Sequence, residues 1–377
     1  MAKKKILVCG ATGFIGRNIF ENISNNSQLE VTGIYHKRKP FDKNNFKWVQ
    51  ADLTQSKEVQ KLLRGFDIII QAAATTSGVK DIVSKPHIHV TENVIMNSLL
   101  FQAAQEANVS HFIFFSCSIM YPSSSIPLKE TVFNSDTDID LNYFGAGWTK
   151  VYLEKMAEFF ASVGPTKYTG IRHSNIYGPY DKFDLEHSHV FGATVNKILH
   201  CKNGEIILWG DGSEERDLLY VSDLVDFVKL VIKKQNDPFC LVNIGYGSSI
   251  SITNLTNTMI KIANKDIRIA YDKSKPSIKV KLSLDCSKAK YLFGWEPKGS
   301  RKTGIQKNRN RFGLQLSKIS QQGVQGISID FRGLCIGING QKISPFVLET
   351  GNAMAGIKHR HITAPLRVKV APKLAFG

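Results

Sequence analysis

The stretch Ile6-Leu7-Val8-Cys9-Gly10-Ala11-Thr12-Gly13-Phe14-Ile15-Gly16 decides the fold. Its apolar start predicts a buried strand, its glycines follow at once with the spacing G-x-x-G-x-x-G, and a helical pattern begins near Ile15. Glycines allow a tight turn, and the free N–H groups at a helix N-terminus attract a phosphate. This order predicts a dinucleotide-binding turn. The residues expected to contact the cofactor here are Gly10, Thr12, Gly13, Phe14, Ile15 and Gly16.

Further apolar runs continue the pattern along the first half of the chain. Residues 31–35, 67–70 and 112–115 are predicted strands, and 93–107 is a predicted helix. Strands that alternate with helices are typical of a parallel sheet covered on both faces. The predicted fold class is α/β, a Rossmann-type doubly wound parallel sheet with a smaller C-terminal substrate-binding domain. We expect a cofactor-binding Rossmann domain over 1–174, a mainly substrate-binding domain over 175–300, and a basic tail of unknown role over 301–377.

Composition narrows the class of protein. No run approaches the roughly 20 apolar residues of a membrane helix, and no signal-peptide core follows the start, so we expect a cytoplasmic protein without a membrane partner. The 6 cysteines are scattered without a C-x-x-C pair. This spacing indicates neither a disulfide framework nor a zinc site, and no metal is expected.

The net charge of +17 is concentrated in the tail. Residues 301–377 hold 13 Lys and Arg against 2 acidic residues, a balance of +11, which leaves +6 for the other 300 residues. A mildly positive body suits an anionic small substrate such as a nucleotide diphosphate. It requires no nucleic-acid partner, and we expect none.

A basic run, His36-Lys37-Arg38-Lys39, follows the second strand. At this place an acidic residue accepts hydrogen bonds from the 2′-hydroxyl of NAD, whereas positive charge accommodates the 2′-phosphate of NADP. We therefore predict NADP(H), bound with the help of His36, Lys37 and Arg38. A solvated basic loop, with NAD(H) as the cofactor, is the open alternative.

Several motifs in co-linear order over residues 3–300 resemble the extended short-chain dehydrogenases/reductases, the NAD-dependent epimerase/dehydratase family. They are the glycine spacing, the Ala51-Asp52-Leu53 and Ala72-Ala73-Ala74 segments, Arg172 to Pro179 with the pattern R-x-x-N-x-Y-G-P, and Trp209-Gly210-Asp211-Gly212 leading to Arg216. The resemblance implies that Asp52, Leu53 and the three alanines line the cofactor groove. It implies substrate contacts from Asn175, Lys197, Trp209 and Arg216, whose guanidinium suits a diphosphate.

Within the family the resemblance is closest to the GDP-L-fucose synthases. Gly178-Pro179-Tyr180-Asp181-Lys182-Phe183, followed by Ser188-His189-Val190, is similar to their G-P-H-D-N-F…S-H-V. The resemblance implies an NADP(H)-dependent epimerase/reductase for a nucleotide-linked keto-sugar in surface polysaccharide precursor biosynthesis. It also implies a homodimer that pairs two long helices per subunit, at 93–107 and 148–162.

Catalysis in this family uses a Ser or Thr, a Tyr, and a Lys four residues after the Tyr on one helix face. Lys150 fits the lysine, but Ala146 stands at the tyrosine position and Cys117 at the hydroxyl position. The cysteine of the fucose synthases falls at Ile119, and their histidine falls at His189.

Three readings follow from these replacements. In the first, the protein is an active enzyme in which Tyr143 or a water supplies the proton. One of Ser116, Cys117 and Ser118 polarises the substrate carbonyl, and His189 acts as an acid or base. The predicted catalytic residues are then Lys150, Cys117, Ser118, Tyr143 and His189. In the second, the protein binds cofactor and nucleotide sugar without turnover. In the third, it is an NAD-dependent nucleotide-sugar dehydratase.

Overall fold

The computed structural model describes residues 2–76, 84–135, 139–183, 188–275, 278, 280–299 and 304–306, and three strands between 327 and 343. Contacts within the chain divide it into two units, Met1–Gly323 and Val324–Gly377. Among the described helices, none has both the length and the apolar character that crossing a bilayer requires.

The first unit alternates strands with helices over most of its length. Its strands are β1 (Lys4–Cys9), β2 (Leu29–Tyr35), β3 (Lys47–Gln50), β4 (Ile68–Gln71), β5 (His111–Cys117), β6 (Lys167–His173), β7 (Asn175–Tyr177), β8 (Glu205–Trp209), β9 (Glu215–Tyr220), β10 (Phe239–Ile244), β11 (Ser249–Ser251), β12 (Arg268–Asp272) and β13 (Lys281–Leu282). Its α-helices are α1 (Phe14–Ile23), α2 (Ser56–Leu62), α3 (Thr91–Glu106), α4 (Phe144–Val163), α5 (Val190–His200), α6 (Val221–Lys234), α7 (Ile252–Ala263) and α8 (Ser287–Phe293). Short 3₁₀ helices lie at Pro86–His89, Glu130–Val132 and Leu141–Tyr143.

Seven strands form one parallel sheet in the order β10-β6-β5-β4-β1-β2-β3. One face of the sheet packs on α1, α6 and α8, and the other face packs on α2, α3 and α4. Because both faces are covered, the central strands are buried and carry continuous apolar runs, as in Ile68-Ile69-Ile70 of β4. The Rossmann-type doubly wound fold predicted from the sequence is confirmed.

Smaller sheets follow the large one along the chain. Strands β11, β9 and β13 form one of them, with β7 paired to β9, and β12 pairs with β8. Helices α5 and α7 pack beside them on a separate apolar core that includes Phe191, Ile198 and Leu255. The segment 175–300 also supplies β10 to the large sheet, so it contributes to the large sheet as well as to the smaller ones. The domain boundary at 174/175 stays a prediction.

The second unit contains an antiparallel sheet of three described strands, β14 (Ile327–Asp330), β15 (Cys335–Ile338) and β16 (Gln341–Ile343). The glycine-rich tail contains short apolar pieces in this region. No role for this unit follows from its backbone.

Candidate active site

The glycine turn between β1 and α1 is built for close approach of a ligand. Gly10 has φ +71°, and a Cβ there would lie 2.6 Å from the Ala73 nitrogen. A side chain at Gly16 would collide with the Gly10 carbonyl, and the Gly13 N–H donates to that carbonyl at 2.8 Å. Helix α1 begins without a side-chain cap and without an acidic residue in its first turn. Its first N–H groups therefore remain for an anion, and this cradle fits a dinucleotide pyrophosphate.

Basic side chains border this turn at the end of β2. The Arg38 guanidinium donates through Nη1 to the Thr12 carbonyl at 3.0 Å, and the His36 ring lies 3.9 Å from Asp52. Hydrogen bonds from Thr54 lower the pKa of Asp52. The structure thus brings the predicted 2′-phosphate residues beside the predicted pyrophosphate turn, with Lys37 exposed next to them.

The alanine turn after β4 lies against the glycine turn. The Ala72 N–H donates to the Cys9 carbonyl at 3.1 Å, and the Ala73 N–H donates to the Gln71 side chain at 3.2 Å. Asn93 of α3 holds the next residues, because its side chain exchanges hydrogen bonds with both backbone groups of Thr75. Residues 72–74 are alanines, and Ala72 and Ala73 lie directly against Gly10.

Lys150 lies on α4 above the end of β5. Its ammonium donates to the Phe115 carbonyl at 2.8 Å. Ala146 stands one helical turn earlier, and its methyl group has no proton to exchange. Tyr143 directly precedes α4 at the end of a 3₁₀ helix and is half-buried.

Nearby charges shift the pKa values of two of the candidate groups. Burial raises the pKa of Cys117, and the Lys150 charge is the largest effect opposing it. Burial also raises the pKa of Tyr143, which the Arg216 charge lowers and Asp140 and Cys117 raise further. Cys117 is therefore within electrostatic reach of Lys150 and Tyr143, and Tyr143 is within reach of Arg216. Lys150 and Cys117 thus lie at the end of β5, Tyr143 directly precedes the helix that carries Lys150, and Arg216 lies on β9.

The two serines beside Cys117 differ in their surroundings. The Ser116 hydroxyl is fully buried and donates to the Glu154 carboxylate at 2.5 Å, so it cannot polarise a substrate carbonyl as one alternative supposed. Ser118 is 5% exposed. Its proposed role beside Cys117 stays a prediction.

A buried polar network lies behind this site. Glu154 binds Arg172 in bidentate fashion, with distances of 2.6 Å and 2.9 Å. The guanidinium also donates to the Tyr121 hydroxyl at 2.7 Å, which donates to Asn243 at 3.0 Å. Burial lowers the pKa of Arg172, but its bonds to Glu154 outweigh that effect and raise it. The network ties the ends of β5, β6 and β10 to α4.

His189 stands at the N-terminus of α5, close to a loop that reaches back to the glycine turn. Burial lowers the pKa of the His189 ring, and the nearby charges of Lys182 and His89 lower it further. Lys182 donates to the Thr76 carbonyl at 3.2 Å, and Asn18 of α1 donates to the Pro179 carbonyl at 2.8 Å. Burial and these neighbouring charges favour the neutral form of the His189 ring.

His173 is a residue of this site that sequence reasoning missed. It ends β6, its register partner across β5 is Cys117, and its ring nitrogen Nδ1 lies 2.7 Å from the Ser174 carbonyl. Burial lowers its pKa to about 4, partly offset by that hydrogen bond, and Lys150 and His189 lower it further. The sequence signal that could have identified His173 as a site residue is its position between Arg172 and Asn175, within the motif that resembles the family.

The predicted substrate residues form two groups. Arg216 on β9 donates to the carbonyls of Val280 and Ile278 at 2.6 Å and 2.8 Å, and Asn175 on β7 donates to the Asp217 carbonyl at 3.3 Å. These bonds fix the two side chains on paired strands.

The second group joins α5 to β8. Lys197 donates to the Ile207 carbonyl at 2.7 Å, and its ammonium lies 5.7 Å from the centre of the Trp209 ring. Burial lowers the pKa of Lys197. Trp209 is 37% exposed and offers an aromatic face to a ligand.

Among the described residues, no group of three or more His, Cys, Asp or Glu side chains is arranged to hold a metal ion.

Comparisons with known proteins identify the family of this chain. The model of the NAD-dependent epimerase/dehydratase family matches residues 6–245. GDP-L-colitose synthase of Yersinia pseudotuberculosis is 28% identical over 315 residues, which cover 82% of this chain and 97% of that protein. GDP-L-fucose synthase of Sinorhizobium fredii is 27% identical, covering 82% and 95% respectively.

Solved structures show the same fold with a different nucleotide. UDP-glucose 4-epimerase of Thermotoga maritima, determined with UDP-glucose, superimposes with a TM-score of 0.74 at 26% identity, covering 83% of this chain and 99% of that one. The sequence relatives thus carry GDP in their names, whereas this structural relative binds a UDP-sugar.

Proposed function

The chain belongs to the NAD-dependent epimerase/dehydratase family, and from that premise we propose that it is an NADP(H)-dependent epimerase/reductase acting on a nucleotide-linked keto-sugar in surface polysaccharide precursor biosynthesis. One observation carries the proposal. Lys150, which donates to the Phe115 carbonyl, and Cys117 lie at the carboxyl end of β5 in the parallel sheet, where ligands bind in open α/β sheets. A cytoplasmic location stays a prediction.

The reduction needs a proton for the sugar carbonyl oxygen. NADPH, when bound, supplies the hydride to the carbonyl carbon. The Tyr143 phenol, which is protonated at neutral pH, donates the proton, and the Arg216 charge opposes the rise in its pKa that burial causes. The Cys117 thiol donates a hydrogen bond to the same oxygen, Lys150 orients the nicotinamide ribose, and Arg216 binds the diphosphate.

Epimerisation needs a base that removes a proton from the carbon next to the carbonyl. His189 is neutral at pH 7, because its pKa lies below the ordinary value, so its ring accepts that proton. Inversion also needs a proton delivered to the opposite face of that carbon; a water supplies it there, and the protonated His189 ring releases its proton to solvent.

Ala146 favours one alternative from another class, a protein that binds cofactor and nucleotide sugar without turnover. The dehydratase reading uses the same cofactor groove with NAD. Mass spectrometry of the nucleotides released on denaturing the purified protein tests binding itself. We expect NADP(H) together with a diphosphate sugar; release of neither from protein that also fails to bind added NADPH would contradict the proposal.

NADP preference is expected to depend on Arg38. Its guanidinium lies at the edge of the glycine turn, so Arg38→Ala removes positive charge from the proposed 2′-phosphate site. We expect the Kd for NADP to rise about 10-fold, the worth of one charge-assisted hydrogen bond, with the Kd for NAD unchanged. Lys43→Ala, at an exposed lysine farther along the same loop, is the control. Equal weakening of both cofactors would refute a 2′-phosphate contact.

A homodimer is proposed on an exposed apolar stripe along α4. Large apolar side chains are exposed there and at one place on α3: Trp148, Tyr152, Phe159, Val163 and Ile95. Apolar patches of this kind mark protein interfaces, and the stripe lies on the helices that the family resemblance assigns to dimer contact.

Phe159→Glu is expected to convert the dimer to a monomer, because it places a charge in the centre of that stripe. Sedimentation velocity at micromolar concentration measures the change, with Lys229→Glu on α6 as the control. A wild-type protein that sediments as a monomer would contradict the proposed homodimer.

A further inference from the structure

His173 presents a fixed hydrogen-bond acceptor to the candidate active site. A carbonyl oxygen only accepts, so the 2.7 Å contact to the Ser174 carbonyl places the ring proton on Nδ1. Nε2 then carries the lone pair. It has no hydrogen bond to any residue that the structure describes, and the ring keeps partial solvent exposure. With its pKa near 4 the ring stays neutral at neutral pH.

The position of this acceptor follows from the sheet. In the order β6-β5-β4-β1, strand β6 is three strands from the glycine turn, about 14 Å at the usual spacing of ~4.8 Å. A dinucleotide whose pyrophosphate rests on that turn runs across the strand ends. Its nicotinamide half therefore extends over β4, β5 and β6, where Cys117 and His173 are register partners.

We infer that the Nε2 atom of His173 accepts a hydrogen bond from the carboxamide N–H of the nicotinamide. The carboxamide needs an acceptor for its amino group, and His173 offers one whose ring orientation is set by Ser174 and by packing near Phe115, with ring centroids 6.2 Å apart. The Lys150 charge, on α4, also acts on the ring and favours its neutral form. This contact rests on the proposed function and fixes which face of the nicotinamide meets the sugar.

The inference is tested with a cofactor that lacks the donor. The 3-acetylpyridine analogue of NADP+ replaces the amino group by a methyl group. We expect wild-type protein to bind NADP+ about 10-fold more tightly than this analogue. His173→Phe should keep the ring packing and bind both cofactors with nearly the same Kd. His173→Gln, whose amide oxygen accepts, should restore part of the preference, and His200→Phe on α5 is the remote control.

Two outcomes separate this inference from the proposed function. Wild-type protein that binds neither NADP+ nor NAD+ would contradict the proposed function. Wild-type protein that binds NADP+, with the same preference over the analogue in His173→Phe, would overturn the inference alone.

A second measurement covers the case in which His173→Phe does not fold. In ¹⁵N-histidine NMR of the wild-type protein we expect the Nδ1–H tautomer for His173 and a shift of its Nε2 resonance on adding NADP+ but not the analogue. An Nε2–H tautomer, or equal shifts with both cofactors, would overturn the inference.

Discussion

Glu154→Ala is expected to destabilise the fold by about 3–5 kcal/mol, the usual cost of leaving a buried charge without its partner. Glu154 and Arg172 are each 4% exposed, and the carboxylate also accepts from Ser116. Removing the Glu154 carboxylate leaves the Arg172 guanidinium buried, and its remaining hydrogen-bond partners among the described residues are the Tyr121 hydroxyl and a backbone carbonyl. The shift of the urea unfolding midpoint, followed by near-UV circular dichroism, measures the loss.

A matched control lies on the same helix. Glu158 is exposed and pairs with Lys155 at 2.8 Å, so Glu158→Ala should change stability by about 0.5 kcal/mol or less. The double variant Glu154→Leu, Arg172→Met removes both charges and should recover most of the loss. A Glu154→Ala variant that unfolds at the same urea concentration as Glu158→Ala would show that the pair does not hold α4 to the sheet.

Tyr143→Phe is expected to lower kcat about 100-fold or more, with little change in the Kd for NADPH. The variant removes one hydroxyl, and a positioned acid or base contributes this much to a rate. Lys150→Ala should weaken NADPH binding as well as turnover, because Lys150 is proposed to hold the nicotinamide ribose. Tyr291→Phe, at a tyrosine that is 87% exposed, is the control.

The result decides which group supplies the proton. Full activity in Tyr143→Phe would eliminate that residue and leave His189 or a water as the donor. Cofactor binding that survives in Tyr143→Phe and fails in Lys150→Ala, without turnover in the wild-type protein, would favour the binding-protein reading.

The fold and the cofactor groove could be predicted from the sequence because their signals are local. A strand, glycines at fixed spacing and a helix follow one another within Ile6 to Gly16, and each constrains its neighbours through backbone geometry. The basic run at His36 is equally local. The structure places that run beside the Thr12 carbonyl, because β2, which the run follows, pairs in parallel with β1, which the glycine turn follows.

The chemical centre depends on contacts that the sequence does not contain. Successive side chains on a strand point to opposite faces, so Ser116 and Cys117 cannot both face the site, and only the observed pairing shows that Ser116 turns to Glu154. Likewise His173 became a candidate only when the parallel register set it beside Cys117. The location of Tyr143 near Arg216 joins residues 73 positions apart.

Hydride transfer with a panel of 4-keto sugars linked to GDP, CDP, UDP or dTDP tests the central claim most directly. The absorbance of NADPH should fall with at least one member of the panel, and Lys150→Ala should abolish that decrease. The panel also separates the GDP of the sequence relatives from the UDP of the structural relative. A wild-type protein that binds NADPH yet oxidises it with no member of the panel would contradict the proposal that this chain is an epimerase/reductase.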